Sequence, residues 1–259
     1  MKKIKKTVVI PTELKEHFAN NPQEKWENFQ NECQIGYKEV ISQLKKDQGG
    51  ICCYCEIDFY DDRKIRDDFR VEHFHPKSDI SNTDINWNLI WNNLLGCCHG
   101  GSEQYILQGK RFIEGKRNRH CDILKGEHNW DNIILNPLDI PAFPPIFHVS
   151  ANGKMSVIEE NCNQCNIDIQ KANNCLDEKK LNLNTSKLKE WRESVIDNLR
   201  NEINELYKIS QDFTYSVTEV LSAHLSKNSK DNYSPFFTTI RSYFERDAEN
   251  FLNENGYDG

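Results

Sequence analysis

Apolar and polar positions divide the chain into three stretches. From residue 1 to about 49, Trp26, Phe29, Cys33, Tyr37, Val40, Ile41 and Leu44 recur at three- and four-residue intervals, the spacing that lines one face of an α-helix. Gly49-Gly50 follows as a stop signal, so an N-terminal helix lying over the core is expected. From about 50 to 150 the apolar runs are short and turn residues frequent. Four prolines between Asn136-Pro137 and Pro144-Pro145 predict an ordered but irregular connection. Residues 151–259 read as mainly helical. Leu188, Trp191, Val195, Leu199, Ile203 and Leu206 mark one face of a long amphipathic helix, expected to be core, with partner docking as the alternative. The predicted class is therefore α+β: a small loop-rich unit between N- and C-terminal helical regions.

Composition narrows the functional classes. No stretch approaches the roughly 20 apolar residues of a membrane span. The basic segment Met1–Thr12 has an apolar run, Thr7-Val8-Val9-Ile10, too short for a signal-peptide core, and a cytoplasmic location is expected. Ten cysteines in a reducing compartment point to metal ligation or buried thiols rather than disulfides. A net charge of −7 argues against sequence-independent coating of nucleic acid, which rewards basic surfaces. A local basic groove, or a basic partner, stays compatible with it.

The chemistry concentrates in the middle region. Cys52 and Cys55 form a Cys-x2-Cys pair, which delivers two thiolates to one tetrahedral zinc from a single turn. A second pair is needed. Cys98 with Cys121 and Cys162 with Cys165 are about equally suited by spacing, and Cys162, Cys165 and Cys175 are candidates for a second ion. Val71-Glu72-His73-Phe74-His75-Pro76-Lys77 lies between the cysteine clusters. Glu72 is a hard oxygen ligand of the kind Mg²⁺ prefers, and His73 is a base titrating near neutrality. Neighbours in a regular strand point to opposite faces, so a bend or a metal must bring these two together.

The order Cys52-Cys53-Tyr54-Cys55-Glu56, Glu72-His73-Phe74-His75-Pro76-Lys77, Trp91-Asn92-Asn93-Leu94-Leu95 and Cys121-Asp122-Ile123-Leu124-Lys125 resembles the HNH endonuclease superfamily. With Leu181-Asn182-Leu183-Asn184, Leu188 and Arg192 added, it looks like the HNH effectors of Septu and retron-associated antiphage systems, the PtuB-like family. The resemblance spans about residues 50–192. It implies a zinc-stapled ββα-metal core over residues 50–150. It favours Cys52, Cys55, Cys98 and Cys121 as structural zinc ligands, leaving Cys53 and Cys97 as buried thiols. It makes His73 the general base and assigns Glu72 and Asp122 to a catalytic Mg²⁺ or Mn²⁺. Asn93 becomes a loop brace, and His75 either touches phosphate or metal or packs beside Pro76. Asp122 stands where Asn or His is usual, after an insertion of about 20 residues. The implied partners are nucleic acid (DNA preferred, tRNA open), an ABC/SMC-type ATPase of the PtuA kind, and a retron reverse transcriptase–msDNA complex.

The insertion is basic. Between Gly109 and Lys125, the six cations Lys110, Arg111, Lys116, Arg117, Arg119 and Lys125 face Glu114 and Asp122, a local +4, and such loops hold phosphates. Two other classes remain in view. A non-catalytic zinc module would share the cysteines without needing Glu72, His73 and Asp122 together. A thiol redox protein using Cys52 and Cys55 needs a helix N-terminus in a βαβ setting, which the pattern lacks.

Overall fold

In a computed structural model, the structure describes residues 1–59, 67–81, 84–102 and 115–259, with the side chain of Lys116 left aside. Of the basic insertion, Lys110, Arg111 and Glu114 lie outside the described residues.

Three helices open the chain rather than one: α1 (Thr12–Asn20), α2 (Trp26–Glu32) and α3 (Gln34–Asp47). The expected periodic run is interrupted at Cys33, whose φ of −110° and ψ of 66° end α2 and begin α3. The apolar face survives the break, because Trp26, Phe29, Val40 and Leu44 share one buried cluster with Leu89, Trp91 and Leu94. Gly49 and Gly50 both adopt positive φ, which ends α3 as the doublet predicted.

The central unit is a two-stranded antiparallel sheet, β1 (Arg70–His73) against β2 (Leu94–Cys97), with Glu72 opposite Leu95 and His73 opposite Leu94. Gln48, just after α3, clips this sheet to the cysteine turn. Its amide donates to the carbonyls of Ile51 (2.9 Å) and Gly96 (2.8 Å) and accepts from Gly96 N–H at 2.6 Å. Cys53 N–H donates to Gly96 carbonyl at 3.0 Å. Beyond β2, the described residues form two single 3-10 turns, Lys116–Asn118 and Cys121–Leu124. The next described α-helix begins at Glu159.

The proline-rich connection is irregular, as expected. A second antiparallel pair follows, β3 (Phe147–Val149) and β4 (Met155–Val157). Helices α4 (Glu159–Gln164), α5 (Ile169–Leu176), α6 (Ser186–Ser210), α7 (Phe213–Leu225) and α8 (Phe237–Glu254) complete the chain. Thr185 and Asp212 cap α6 and α7 by accepting from Leu188 and Tyr215 N–H. Leu199 and Ile203 of α6 pack in one buried cluster with Val220, Leu221, Phe237 and Ile240, so the apolar stripe is core. No described helix is long and apolar enough to cross a membrane.

Candidate metal centre and catalytic cleft

Cys52, Cys55, Cys98 and Cys121 converge, their sulfurs all within 4.8 Å of one another and all buried. Cys55 lies 3.6 Å from Cys98, Cys98 3.7 Å from Cys121, and Cys52 3.9 Å from Cys121. A tetrahedral ion with Zn–S bonds near 2.3 Å requires sulfur separations of about 3.8 Å, so the set fits zinc. Backbone donors serve the sulfurs: Cys98 N–H reaches Cys52 Sγ and Gly100 N–H reaches Cys98 Sγ, each at 3.4 Å. Gly100 has φ +53°, and a Cβ there would stand 2.1 Å from His120 carbonyl, so the turn beside Cys98 needs glycine. Cys121 sits at φ 58°, an unfavourable region for an L-residue. Its N–H bond to Leu181 carbonyl (2.8 Å) helps hold it there.

Burial pushes Cys55 up to about 11 and also raises Cys98 and Cys121. At Cys52 burial acts the same way but is outweighed by hydrogen bonds from Cys121, Cys53, Cys55 and Cys97, and the thiol is lowered well below its ordinary value. Burial disfavours thiolates in this cluster as a whole, and a metal that binds there releases protons.

Of the remaining cysteines, Cys53 and Cys97 form a buried threesome with Cys52, and Cys97 Sγ donates to Asp122 Oδ1 at 3.2 Å. Cys162, Cys165 and Cys175 belong to neither group among the described residues. The alternative pairing of Cys162 and Cys165 with Cys52 and Cys55 is therefore not the one the fold makes. Cys52 and Cys55 flank a tight turn, not the helix N-terminus a redox pair would use.

One cleft of about 280 Å³ is lined by Arg70, Glu72, His73, Lys77 and Asp122, with Trp26 and Glu127 among its walls. β1 ends at His73 and the chain bends at Phe74, which lets Glu72 and His73 line the same cleft despite adjacent strand positions. Glu72 and Asp122 lie side by side, each answered by a cation. Lys125 Nζ donates to Glu72 Oε1 at 2.5 Å and to His73 carbonyl at 2.6 Å. Arg70 pairs with Asp122. Tyr54 hydroxyl donates to Glu72 Oε1 at 3.3 Å. Burial, then the neighbouring Asp122 carboxylate, pushes Glu72 up to about 8 against the pull of Lys125. Two buried carboxylates in mutual repulsion are a hard-oxygen set suited to a divalent cation.

His73 Nε2 lies 3.0 Å from Asn88 carbonyl. That contact makes Nε2 the protonated nitrogen and Nδ1 the basic one. The ring meets Trp26 edge-on at 5.1 Å. Burial drives His73 down to about 4, so the imidazole is neutral near pH 7.

Asn93 does not line this cleft. Its Oδ1 accepts from His75 N–H at 2.7 Å, and its Nδ2 donates to the carbonyls of His75 (2.9 Å) and Trp87 (2.8 Å). His75 also faces away, into a separate cleft of about 470 Å³ with Trp87 and Asp131. Its Nδ1 contacts Asp131 at 2.7 Å and its Nε2 contacts Asp79 at 3.0 Å, while the ring stacks on Trp87 at 3.9 Å. Sequence reasoning missed Tyr54, Arg70 and the Asn88 carbonyl. Arg70 was findable, since residues two apart on a strand share a face with Glu72. The Asn88 carbonyl is backbone and carries no sequence signal.

No protein-family model matches this chain. A protein of Escherichia coli designated "Retron Ec83 putative HNH endonuclease" is 34% identical over 194 residues, covering 71% of this chain and 74% of that protein.

Proposed function

The chain belongs to the HNH endonuclease family, and from that premise we propose that it is a metal-dependent endonuclease that hydrolyses phosphodiester bonds of nucleic acid around a zinc-stapled ββα-metal core. The observation that carries this reading is the pairing of His73 with Asn88 carbonyl at 3.0 Å, in a cleft shared with Glu72 and Asp122.

In the proposed reaction His73 Nδ1 takes a proton from water as the oxygen attacks phosphorus. The bond from phosphorus to the leaving 3′ oxygen breaks, and that oxygen collects a proton from solvent. Glu72 and Asp122 would hold a Mg²⁺ or Mn²⁺ ion, which supplies charge stabilisation for the phosphoryl oxygens and the leaving group. The Asn88 carbonyl fixes the ring and its tautomer, and Lys125 and Arg70 orient the two carboxylates by pairing with Glu72 and Asp122. Asn93 and His75 act on the loop between the strands rather than on substrate. Cys52, Cys55, Cys98 and Cys121 would hold a zinc ion, and Cys121 carries its neighbour Asp122 to the cleft. Arg117, Arg119 and the rest of the basic insertion are the proposed phosphate contacts.

The retron in the relative's designation supports a role as the effector of an antiphage defence system. A PtuA-like ATPase and a reverse transcriptase–msDNA complex are the partners that the family resemblance implies. DNA is the preferred substrate and tRNA the alternative. Cleavage of labelled duplex DNA and of total tRNA, with Mg²⁺ or Mn²⁺ and with a chelator as control, tests the activity. Metal-dependent cutting of either supports it. Intact substrates, even with a co-purified ATPase partner present, contradict it in favour of a non-catalytic zinc module.

A further inference from the structure

Arg192 is fully buried on the second turn of α6, an unusual place for a guanidinium with five donors to satisfy. Its Nη1 reaches Gly153 carbonyl and Asn184 Oδ1, each at a long 3.4 Å. Among the described residues its Nε and Nη2 have no hydrogen-bond partner. A buried cation so poorly served is strongly destabilising unless an opposite charge answers it.

The groups near enough for a negative charge to reach Arg192 are Glu56 and, once a metal displaces their protons, Cys55 and Cys121. Glu56 is already engaged: it accepts from Thr238 N–H and hydroxyl and pairs with the Met1 ammonium. That leaves the cysteine cluster. Four thiolates around a divalent ion carry two negative charges in excess, and all four are buried. A buried dianion without a counter-charge pays the same desolvation penalty as a lone buried cation. Each of these two problems is the answer to the other.

The segment before α6 joins the two physically. Leu181 carbonyl receives Cys121 N–H at 2.8 Å. Asn182 Nδ2 donates to the carbonyls of Arg117 (3.2 Å) and Arg119 (2.9 Å), fastening the backbone that delivers Cys121. Asn184 exchanges hydrogen bonds with both backbone groups of Met155 at 2.9 Å and also receives Arg192. Leu181-Asn182-Leu183-Asn184 and Arg192 thus form one bracket around the fourth cysteine.

We propose that Arg192 is the counter-cation of the tetrathiolate zinc centre, a positioning residue that ties metal loading to the seating of α6; this rests on the four cysteines being a zinc site. Neutralising Arg192 weakens zinc binding, and removing zinc loosens α6.

The test is zinc affinity of the full chain, by competition with a chromogenic chelator, for wild type, Arg192→Lys and Arg192→Met. Loss of a partner around a metal's ligands costs roughly 10–100-fold in affinity. Arg192→Met is expected to fall in that range and Arg192→Lys to recover most of it. A folded Arg192→Met that binds zinc as tightly as wild type overturns the proposal and leaves the zinc site standing. Wild-type protein that binds no zinc overturns both. Should Arg192→Met fail to fold, amide hydrogen exchange of wild type with zinc and after chelation decides. Faster exchange in the first turns of α6 than in α7 and α8 once zinc is removed supports the role, and unchanged exchange there overturns it.

Discussion

Asn93 holds both backbone polar groups of His75, accepting from its N–H at 2.7 Å and donating to its carbonyl at 2.9 Å. One buried amide thereby fixes the chain where it leaves β1, directly after the residue proposed as the base. Truncating it strands the His75 N–H and carbonyl and the Trp87 carbonyl, and each unsatisfied buried group costs about 1–3 kcal/mol. Asn93→Ala is expected to lower unfolding free energy by about 3 kcal/mol, read as a lower denaturant midpoint. Asn93→Asp keeps the acceptor but sets a carboxylate oxygen against the His75 and Trp87 carbonyls, and is expected to lose at least as much. A midpoint unchanged in Asn93→Ala would mean that the loop is held elsewhere.

The proposed zinc ligands and the neighbouring cysteines are separable by substitution. Cys55→Ala is expected to lose zinc and solubility together, because structural zinc contributes most of the folding free energy of small metal-stapled units. Cys53→Ala should keep one zinc per chain and cost roughly 1 kcal/mol, an ordinary core truncation. Metal content and thermal unfolding of the two variants separate the roles; equal zinc loss in both would void the division.

Lys125 is 1% exposed, and its ammonium answers Glu72. Removing one partner of a buried ion pair costs about 3–5 kcal/mol. Lys125→Met is therefore expected to be destabilised by about that much. Mg²⁺ or Mn²⁺ should restore part of the loss, since a divalent cation supplies the missing charge between Glu72 and Asp122. A thermal shift with Mn²⁺ larger than in wild type supports this. No shift in the variant would count against a metal between those carboxylates.

Much of the site was legible in the sequence, and the reasons are physical. Cys-x2-Cys spacing dictates a single turn, and the turn is there. The remaining two cysteines of the buried group, Cys98 and Cys121, lie 23 positions apart with a basic insertion between. Spacing could not choose between them and Cys162 with Cys165; the resemblance did. The helical stripe of α6 was readable because burial enforces periodicity, yet the same stripe concealed Arg192, whose burial answers charge rather than hydrophobicity. The N-terminal break at Cys33 was illegible, since the apolar face continues across it. His75 gave an ambiguous signal because histidine serves phosphate, metal and carboxylate alike, and only tertiary contact placed it between Asp79 and Asp131.

The central claim is that His73 is the base and stands apart from the zinc staple. Its most direct test is DNA and tRNA cleavage by wild type and His73→Ala in parallel, with zinc content and thermal unfolding measured on the same preparations. The account predicts metal-dependent cutting by wild type, loss of at least about 100-fold in His73→Ala, as removal of a general base entails, and unchanged zinc. Cutting at the wild-type rate by a zinc-loaded His73→Ala would contradict it.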